Sequence, residues 1–564
     1  MRRPSAIALY LSIVAGTCLW SSAARDAYAY GYNPTSGVAT WGFLTNWSPS
    51  LNPLLLDRRG VTLTLPTSLG SVTTPTIANY YNDPYSPLSV TNSGPTAASL
   101  DWSFDVWSIT LNSPTFSQLV AGISYDSYVV LRSNSTALQL GASAPLSFQF
   151  GGITSGVTHL CLGPTSSSAQ VDVVGTSSGT QRTLTIAAEI WGYGFIKTGT
   201  GTLRLVGIGI NHTNHHYGYT VINEGTLATT RDGLLGSTSA ELWLNSGTFR
   251  ADANFSLSSS RKVCLYGGGF IDTNGYDLTI PGTVYGAGIL VKTGTGTFTL
   301  SGANVGTGKT YVFGGTLIVD NGLSNGSATG LGEVELYSGA TLGGEGTIAG
   351  AVTANAGATI HPSAGLADDA DRILVLGSLT TNAGSTLTFN LAKPKTDNDD
   401  SYSDIIATNN SLTFNSGTTL EFNLDNPYDA ETLGYFTIME YNPANPIVGL
   451  GNLTLPAPAD GISYALSVDT TLGIVEVHRR FAGDINGDGI VDLMDLTILA
   501  RNWKKPGTWA TGDLNGDGFV DLADLTILAR NWKKVIHDDY LIYLDDLSWA
   551  DAMASVTFGD GEED

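Results

Sequence analysis

A chain of 564 residues with 68 glycines and only 13% charged side chains is too long for one small core. It is also too poor in charge for a helical bundle, and suits short strands between tight turns. A net charge of −24 argues against a nucleic-acid partner. The residues from 484 onward carry 17 acidic and 6 basic side chains, a concentration better explained by metal ligands and solubility.

The chain opens on Met1-Arg2-Arg3 and an apolar run from Ala6 to Trp20, followed by the small-x-small triplet Ala27-Tyr28-Ala29. This pattern predicts a secretory signal peptide over residues 1–29, with the mature protein starting near Tyr30. The apolar run is short for a membrane span, and no later run is long enough, so no transmembrane span is expected in the mature chain. Cys18 leaves with the signal. Cys161 and Cys264 remain, a pair that one disulfide could join in an oxidising compartment, although spacing alone does not pair them.

Residues 30–190 alternate short apolar and polar runs between Ser, Thr, Pro and Gly, which predicts a β-rich N-terminal region. Its tryptophans, Trp41, Trp47, Trp102 and Trp107, are expected to pack between strands rather than to serve as sugar platforms. A repeat then takes over from 191 to 425. Ile196-Lys-Thr-Gly-Thr-Gly-Thr-Leu203 returns as Val291-Lys-Thr-Gly-Thr-Gly-Thr-Phe298, and each is answered by a closing phrase, Glu224-Gly-Thr-Leu227 or Gly314-Gly-Thr-Leu317. Echoes such as Ala356-Gly-Ala-Thr-Ile360, Ala383-Gly-Ser-Thr-Leu387 and Ser416-Gly-Thr-Thr-Leu420 follow. A small turn followed by Thr-apolar alternation predicts a β-solenoid, with apolar residues stacked inside, Thr and Ser in ladders outside and Gly at the corners.

The phrase K-T-G-x-G-T-L resembles the autotransporter-associated β-strand repeat of bacterial passenger domains. The resemblance implies a right-handed parallel β-helix exposed outside the cell. After residue 480 there is no room for a translocating β-barrel, so another export route is expected. Strand patterns continue through residues 426–480 as a cap or linker.

From Asp484 one phrase is written twice, 29 residues apart: D-I-N-G-D-G-I-V-D-L-M-D-L-T-I-L-A-R-N-W-K-K, then D-L-N-G-D-G-F-V-D-L-A-D-L-T-I-L-A-R-N-W-K-K from Asp513. Each has the ligand spacing of a twelve-residue calcium loop. Asp484, Asn486 and Asp488 stand at positions one, three and five, Ile490 offers its carbonyl at seven, Asp492 stands at nine and Asp495 closes the loop. Asp513, Asn515, Asp517, Phe519, Asp521 and Asp524 repeat the set. Four carboxylates so close together call for a cation, and calcium, one ion per loop and two in all, is the expected cofactor. Leu496, Leu499, Ala500 and Trp503, and again Leu525, Leu528, Ala529 and Trp532, recur at helical spacing. Each unit is therefore a loop with an exiting helix, and a strand rather than a helix leads into the first.

Two such half-hands joined by a short connector resemble the dockerin family, over residues 481–535. The resemblance implies a small all-α, calcium-folded docking module that binds a cohesin-like domain on another protein. Where dockerins often carry small hydroxyl residues before the closing Asp, this chain has Leu493-Met494 and Leu522-Ala523, so the usual partner specificity does not carry over. The likeness of the halves suggests that a partner can bind in two orientations. Residues 536–564 form an acidic tail for which the sequence gives no physical account.

Other chemistry is sparse. Asn211-His212-Thr-Asn-His215-His216 gathers imidazoles, read as a polar corner loop in preference to a transition-metal site. Asp397, Asp399, Asp400 and Asp404 are read as a solvated loop in preference to a further calcium site. No G-x-S-x-G, H-E-x-x-H or phosphate loop occurs. The expectation is a mainly β, secreted bacterial solenoid, a surface scaffold or adhesin, attached to a partner protein by its calcium module. The alternative is a hydrolase or lyase acting on an extracellular polysaccharide, for which no carboxylate pair stands out. A third possibility is that the paired loops only staple the C-terminus.

Overall fold

The computed structural model gives the backbone of strands between residues 13 and 162, and describes in full several strand positions from 138 to 162 and most residues from 168 to 558. The stretches 163–167, 176–180, 208–212, 324–325, 366–371, 394–401, 425–432, 446, 459–460, 535–547 and 559–564 lie outside the described residues. The expected signal peptide, Trp41, Trp47, Trp102 and Trp107, and His212, Asp397, Asp399 and Asp400 therefore fall outside them as to side-chain placement. The chain divides into two compact units, Met1–Gly315 with Ser327–Gly332, and Thr316–Gly326 with Glu333–Asp564.

In the first unit, strands from successive coils stack in parallel register. β1 (Ala169–Val173) pairs with β2 (Phe195–Thr198), β2 with β3 (Thr220–Ile222), and β3 with β4 (Leu242–Ala251). β5 (Val263–Asp272), β6 (Leu290–Thr293) and β7 (Thr310–Val312) continue the ladder. This is the expected parallel solenoid. Strand periodicity sends alternate side chains inward, so each inward column is a stack of register partners, as in Leu203, Leu227 and Phe249, all fully buried.

The repeat phrase has a cause that composition hides. Lys197 lies in register between Val171 and Ile222, and Lys292 between Ile271 and Val312. Both lysines thus point into apolar columns, and both are fully buried. The Lys197 ammonium donates to the carbonyls of Thr198 (2.7 Å), Gly199 (2.6 Å) and Glu224 (3.2 Å). Lys292 donates to Thr293, Gly294 and Gly314 and to Thr273 Oγ1, all within 3.0 Å. Turn carbonyls that would otherwise be buried unpaired are satisfied by one cation. The closing Gly-Thr-Leu follows from the same contact: Gly315 has φ +65°, and a Cβ there would stand 2.5 Å from the Gly294 carbonyl and 2.8 Å from the Lys292 amine.

Not every threonine lies outside as expected. Thr220 and Thr310 occupy inward columns and are buried, as is Thr202. Thr220 is tolerated there because its hydroxyl lies 3.0 Å from the buried His216 Nε2.

In the second unit β8 (Thr347–Ala354) pairs in parallel with β9 (Ile373–Thr381), and β9 with β10 (Ile405–Thr408). Asparagines just after successive strands form a ladder: Asn415 Nδ2 donates to Asn382 Oδ1 and Asn382 Nδ2 to Asn355 Oδ1, each at 2.9 Å. Asn355 then donates to the Leu336 carbonyl at 3.0 Å. The coil pattern ends where β11 (Gly434–Tyr441), parallel to β10, takes β13 (Ile474–Phe481) as an antiparallel neighbour. β12 (Ile462–Asp469) flanks β13, again antiparallel. The reversal gives β11 a paired neighbour instead of an open edge, and β13 runs directly into Asp484.

Candidate metal centre

β13 ends at Phe481, and the first loop leads into α1 (Leu493–Arg501). The second loop leads into α2 (Leu522–Arg530). Each helix starts with a capping box made from loop carboxylates. Asp492 accepts from Met494 N at 2.7 Å while Asp495 accepts from Asp492 N at 2.9 Å. Asp521 and Asp524 do the same at 2.8 Å each. The residues expected to ligate at positions nine and twelve therefore also fix the helix start, which satisfies amides left without intrahelical partners.

The rest of each loop closes on itself. Asp484 accepts from the amides of Gly487 and Gly489, and Asp513 from those of Gly516 and Gly518, all at 2.8–3.0 Å. Asn486 and Asn515 accept from Asp488 N and Asp517 N, and donate to the same aspartates' carboxylates. Asp488 and Asp517 accept from the amides of Ile490 and Phe519 at 3.0 Å. Asp495 also accepts from Ile485 N and Asn486 N, and Asp524 from Leu514 N and Asn515 N, at 2.7 and 3.1 Å in both copies.

Four of these carboxylates are buried: Asp484, Asp495 and Asp524 completely and Asp513 nearly so. Burial pushes Asp495 up to about 6 despite three amide donors, with the Asp484 charge adding to the rise. Burial also raises Asp484 and Asp524 against their own amide donors. Carboxylates buried so close together gain most from a hard cation, which offsets their desolvation and mutual repulsion. Among the described residues no three His, Cys, Asp or Glu side chains converge in ligand geometry. The loop set instead mixes carboxylates with an Asn oxygen and a backbone carbonyl, and its carboxylates are turned toward loop amides. The donor chemistry fits calcium.

The two loops are stapled to each other's exits. Val491 exchanges hydrogen bonds with Lys533 and Lys534, and Val520 with Lys504 and Lys505. Ile485, Val491, Leu496, Leu499, Leu514, Val520, Leu525 and Leu528 form one core. Ala552, in a third helix α3 (Trp549–Ser555), is part of that core, and Trp549 and Phe558 make edge contacts with Trp532 and Trp503. The tail without an account in the sequence thus covers the two tryptophans of the repeat. Asn531 Nδ2 donates to the Ala482 carbonyl at 2.6 Å, tying α2 to the end of β13.

Residues 482–533 match the dockerin type I domain. Calcium is the ion that such domains bind. Residues 195–228 and 290–319 match the passenger-associated-transport-repeat, and both segments contain the buried-lysine phrase. Over 129 residues, 23% of this chain, the sequence is 40% identical to the adhesin BmaC autotransporter of Brucella suis biovar 1 (strain 1330). The chain spans about 4% of that relative's length. Both matches fall on the two repeats of the sequence, a dockerin-type module and a passenger-type repeat in one chain.

The remaining sequence candidates fare differently. His215 and His216 diverge, because neighbours on extended chain point to opposite sides. His216 is buried against Phe195, and burial, with the repulsion of Arg261, brings it down to about 3. It is no part of a polar corner loop. His215 packs over Trp191 at 4.3 Å and lies 3.8 Å from Glu189, which His159 approaches at 3.1 Å. Those partners come from other coils, so sequence proximity could not reveal them. Asp404 is likewise not in a solvated loop: it is fully buried and accepts from Ser363 Oγ (2.5 Å) and Asn390 N (3.0 Å). No disulfide joins Cys161 to Cys264. Among the described residues no helix is long and apolar enough to cross a membrane.

Proposed function

We propose that this protein is a secreted, surface-acting solenoid of adhesin or scaffold type, attached to a protein partner through a calcium-dependent docking module. The observation that carries the reading is the pair of matching loop-helix units on a core shared by both halves. In the first loop Asp484, Asn486, Asp488 and Asp495 supply side-chain oxygens, Ile490 its carbonyl, and Asp492 the ninth position. In the second, Asp513, Asn515, Asp517, Phe519, Asp521 and Asp524 do the same, for two ions in all. Calcium supplies the positive charge that buried carboxylates lack, and liganding stabilises the folded form over an unfolded chain that has no preformed site. The solenoid, with its passenger-type repeat, is the displayed part, and a cohesin-like domain is the partner class that the module favours.

The test uses the full chain, immobilised and exposed to extracellular proteins of its source in millimolar calcium. A partner retained in calcium, released by chelator and lost on the double substitution Asp484→Ala, Asp513→Ala is the expected result. Retention indifferent to calcium and to the substitutions would refute calcium-dependent docking.

A further inference from the structure

The two loop-helix copies from Asp484 to Lys505 and from Asp513 to Lys534 differ at three positions only, Ile485 for Leu514, Ile490 for Phe519 and Met494 for Ala523. Their surroundings differ far more. A Cβ placed on Gly516 or Gly518 would meet nothing within 4 Å, whereas one on Gly487 would stand 3.7 Å from the Arg480 guanidinium and 3.8 Å from the His478 ring. Leu522 is 68% exposed while its counterpart Leu493 is half-buried and packs against the module core. Identical residues in unlike settings mean that the asymmetry is imposed from outside the repeat, and at Gly487 the neighbours are Arg480 and His478 of β13.

Arg480 is the charged element of that cover. It lies one residue before the end of β13, is 7% exposed, and its guanidinium sits 4.6 Å over the Trp509 ring. Its Nη1 lies 3.7 Å from where a Cβ on Gly487 of the first loop would stand, and Asp484 and Asp495 of that loop are the carboxylates that interact with its charge. His478 and Tyr435, stacked on each other at 4.1 Å, are the other ionisable groups that interact with it. The residue four places before the second loop, where Arg480 stands before the first, is Trp509 itself. The second loop thus has no equivalent cation at that position.

We propose that Arg480 is a built-in counter-ion of the first loop, making it the weaker of the two calcium sites and holding its shape when calcium is absent. The proposal rests on the two-ion reading above. A fixed positive charge beside the loop opposes the entry of a dication. At the effective dielectric of a partly buried site, that repulsion weakens binding by at least about tenfold. Without calcium the same charge relieves the repulsion between Asp484 and Asp495, which otherwise work against the folded loop.

The experiment is a calorimetric titration of the calcium-stripped full chain with calcium. Asp488→Asn and Asp517→Asn, exposed carboxylates one per loop, identify which loop gives which binding step. Two steps at least about tenfold apart are expected, the weaker perturbed by Asp488→Asn and the tighter by Asp517→Asn. Arg480→Gln should tighten the weaker step by about tenfold and leave the other unmoved. Arg480→Lys, which keeps the charge, should stay within about threefold of the parent. Circular dichroism at saturating calcium checks that each variant is folded. Equal steps in the parent, or a weaker step that Arg480→Gln leaves unchanged or weakens further, would overturn the proposal. No calcium uptake by any form would instead overturn the two-ion reading, and this proposal with it.

Discussion

A lysine in an apolar column is expensive unless its ammonium is fully used, and Lys197 and Lys292 show what full use requires. Each donates to at least three carbonyls that belong to two successive turns. Replacing Lys292 with Met keeps the apolar stem but leaves those carbonyls without a donor, so a loss of about 3 kcal/mol is expected from the urea midpoint of the solenoid transition. A loss well below 1 kcal/mol would mean that water takes over the ammonium's role. His216 gives the residue-scale pH dependence. Its folded pKa of about 3 lies below the ordinary imidazole value, so the unfolded chain takes up a proton first as pH falls. Stability from this residue is complete above about 6.5 and is lost as pH falls toward 3. In urea titrations at pH 7 and pH 4.5, His216→Leu should show a smaller acid loss than the parent.

At the scale of turns and helices, the two kinds of glycine in the repeat carry different costs. Gly339 has φ +80° and open space around it, so Gly339→Ala costs only the backbone term, about 1 kcal/mol. Gly315 has a similar φ, but a Cβ would strike two carbonyl oxygens and the Lys292 amine. Gly315→Ala should therefore cost about 3 kcal/mol or more, read as the difference between the two variants' urea midpoints. Equal losses would show that the turn moves aside. The helices are short, nine residues each, and would be marginal alone. Their capping boxes are built from loop carboxylates, so loop and helix are expected to form together.

At the scale of the molecule, the solenoid depends on neighbouring coils and the module on its own small core with calcium. Chelation should remove the helical part of the far-UV circular dichroism while the β signal persists. The double variant Asp484→Ala, Asp513→Ala should do the same at millimolar calcium. Unchanged helical signal in that variant would refute the ligand assignment. The tail belongs to the module's stability as well. Trp549→Ala removes the ring that packs on Trp532, and should lower the module's thermal midpoint by several degrees, the shift expected of about 2 kcal/mol in a small domain.

The sequence by itself determined the elements whose signals are local. The period-two alternation and glycine turns announced the coils of a β-solenoid. The spacing Asp-x-Asn-x-Asp-Gly followed by Leu, Leu and Trp at helical intervals announced two loop-helix units, because ligand order and helix periodicity are both set within a dozen residues. Tertiary structure decided whatever depends on which coil lies above which. Stacking placed Lys197 and Lys292 in apolar columns, buried His216 and Asp404, left Cys161 and Cys264 without a disulfide between them and brought Glu189 to His159 and His215. It also packed α3 over Trp503 and Trp532, and set Arg480 against one of two nearly identical loops. Burial and charge pairing are sums over neighbours from distant parts of the chain, and a repeat written twice in sequence becomes two different sites once only one copy is covered.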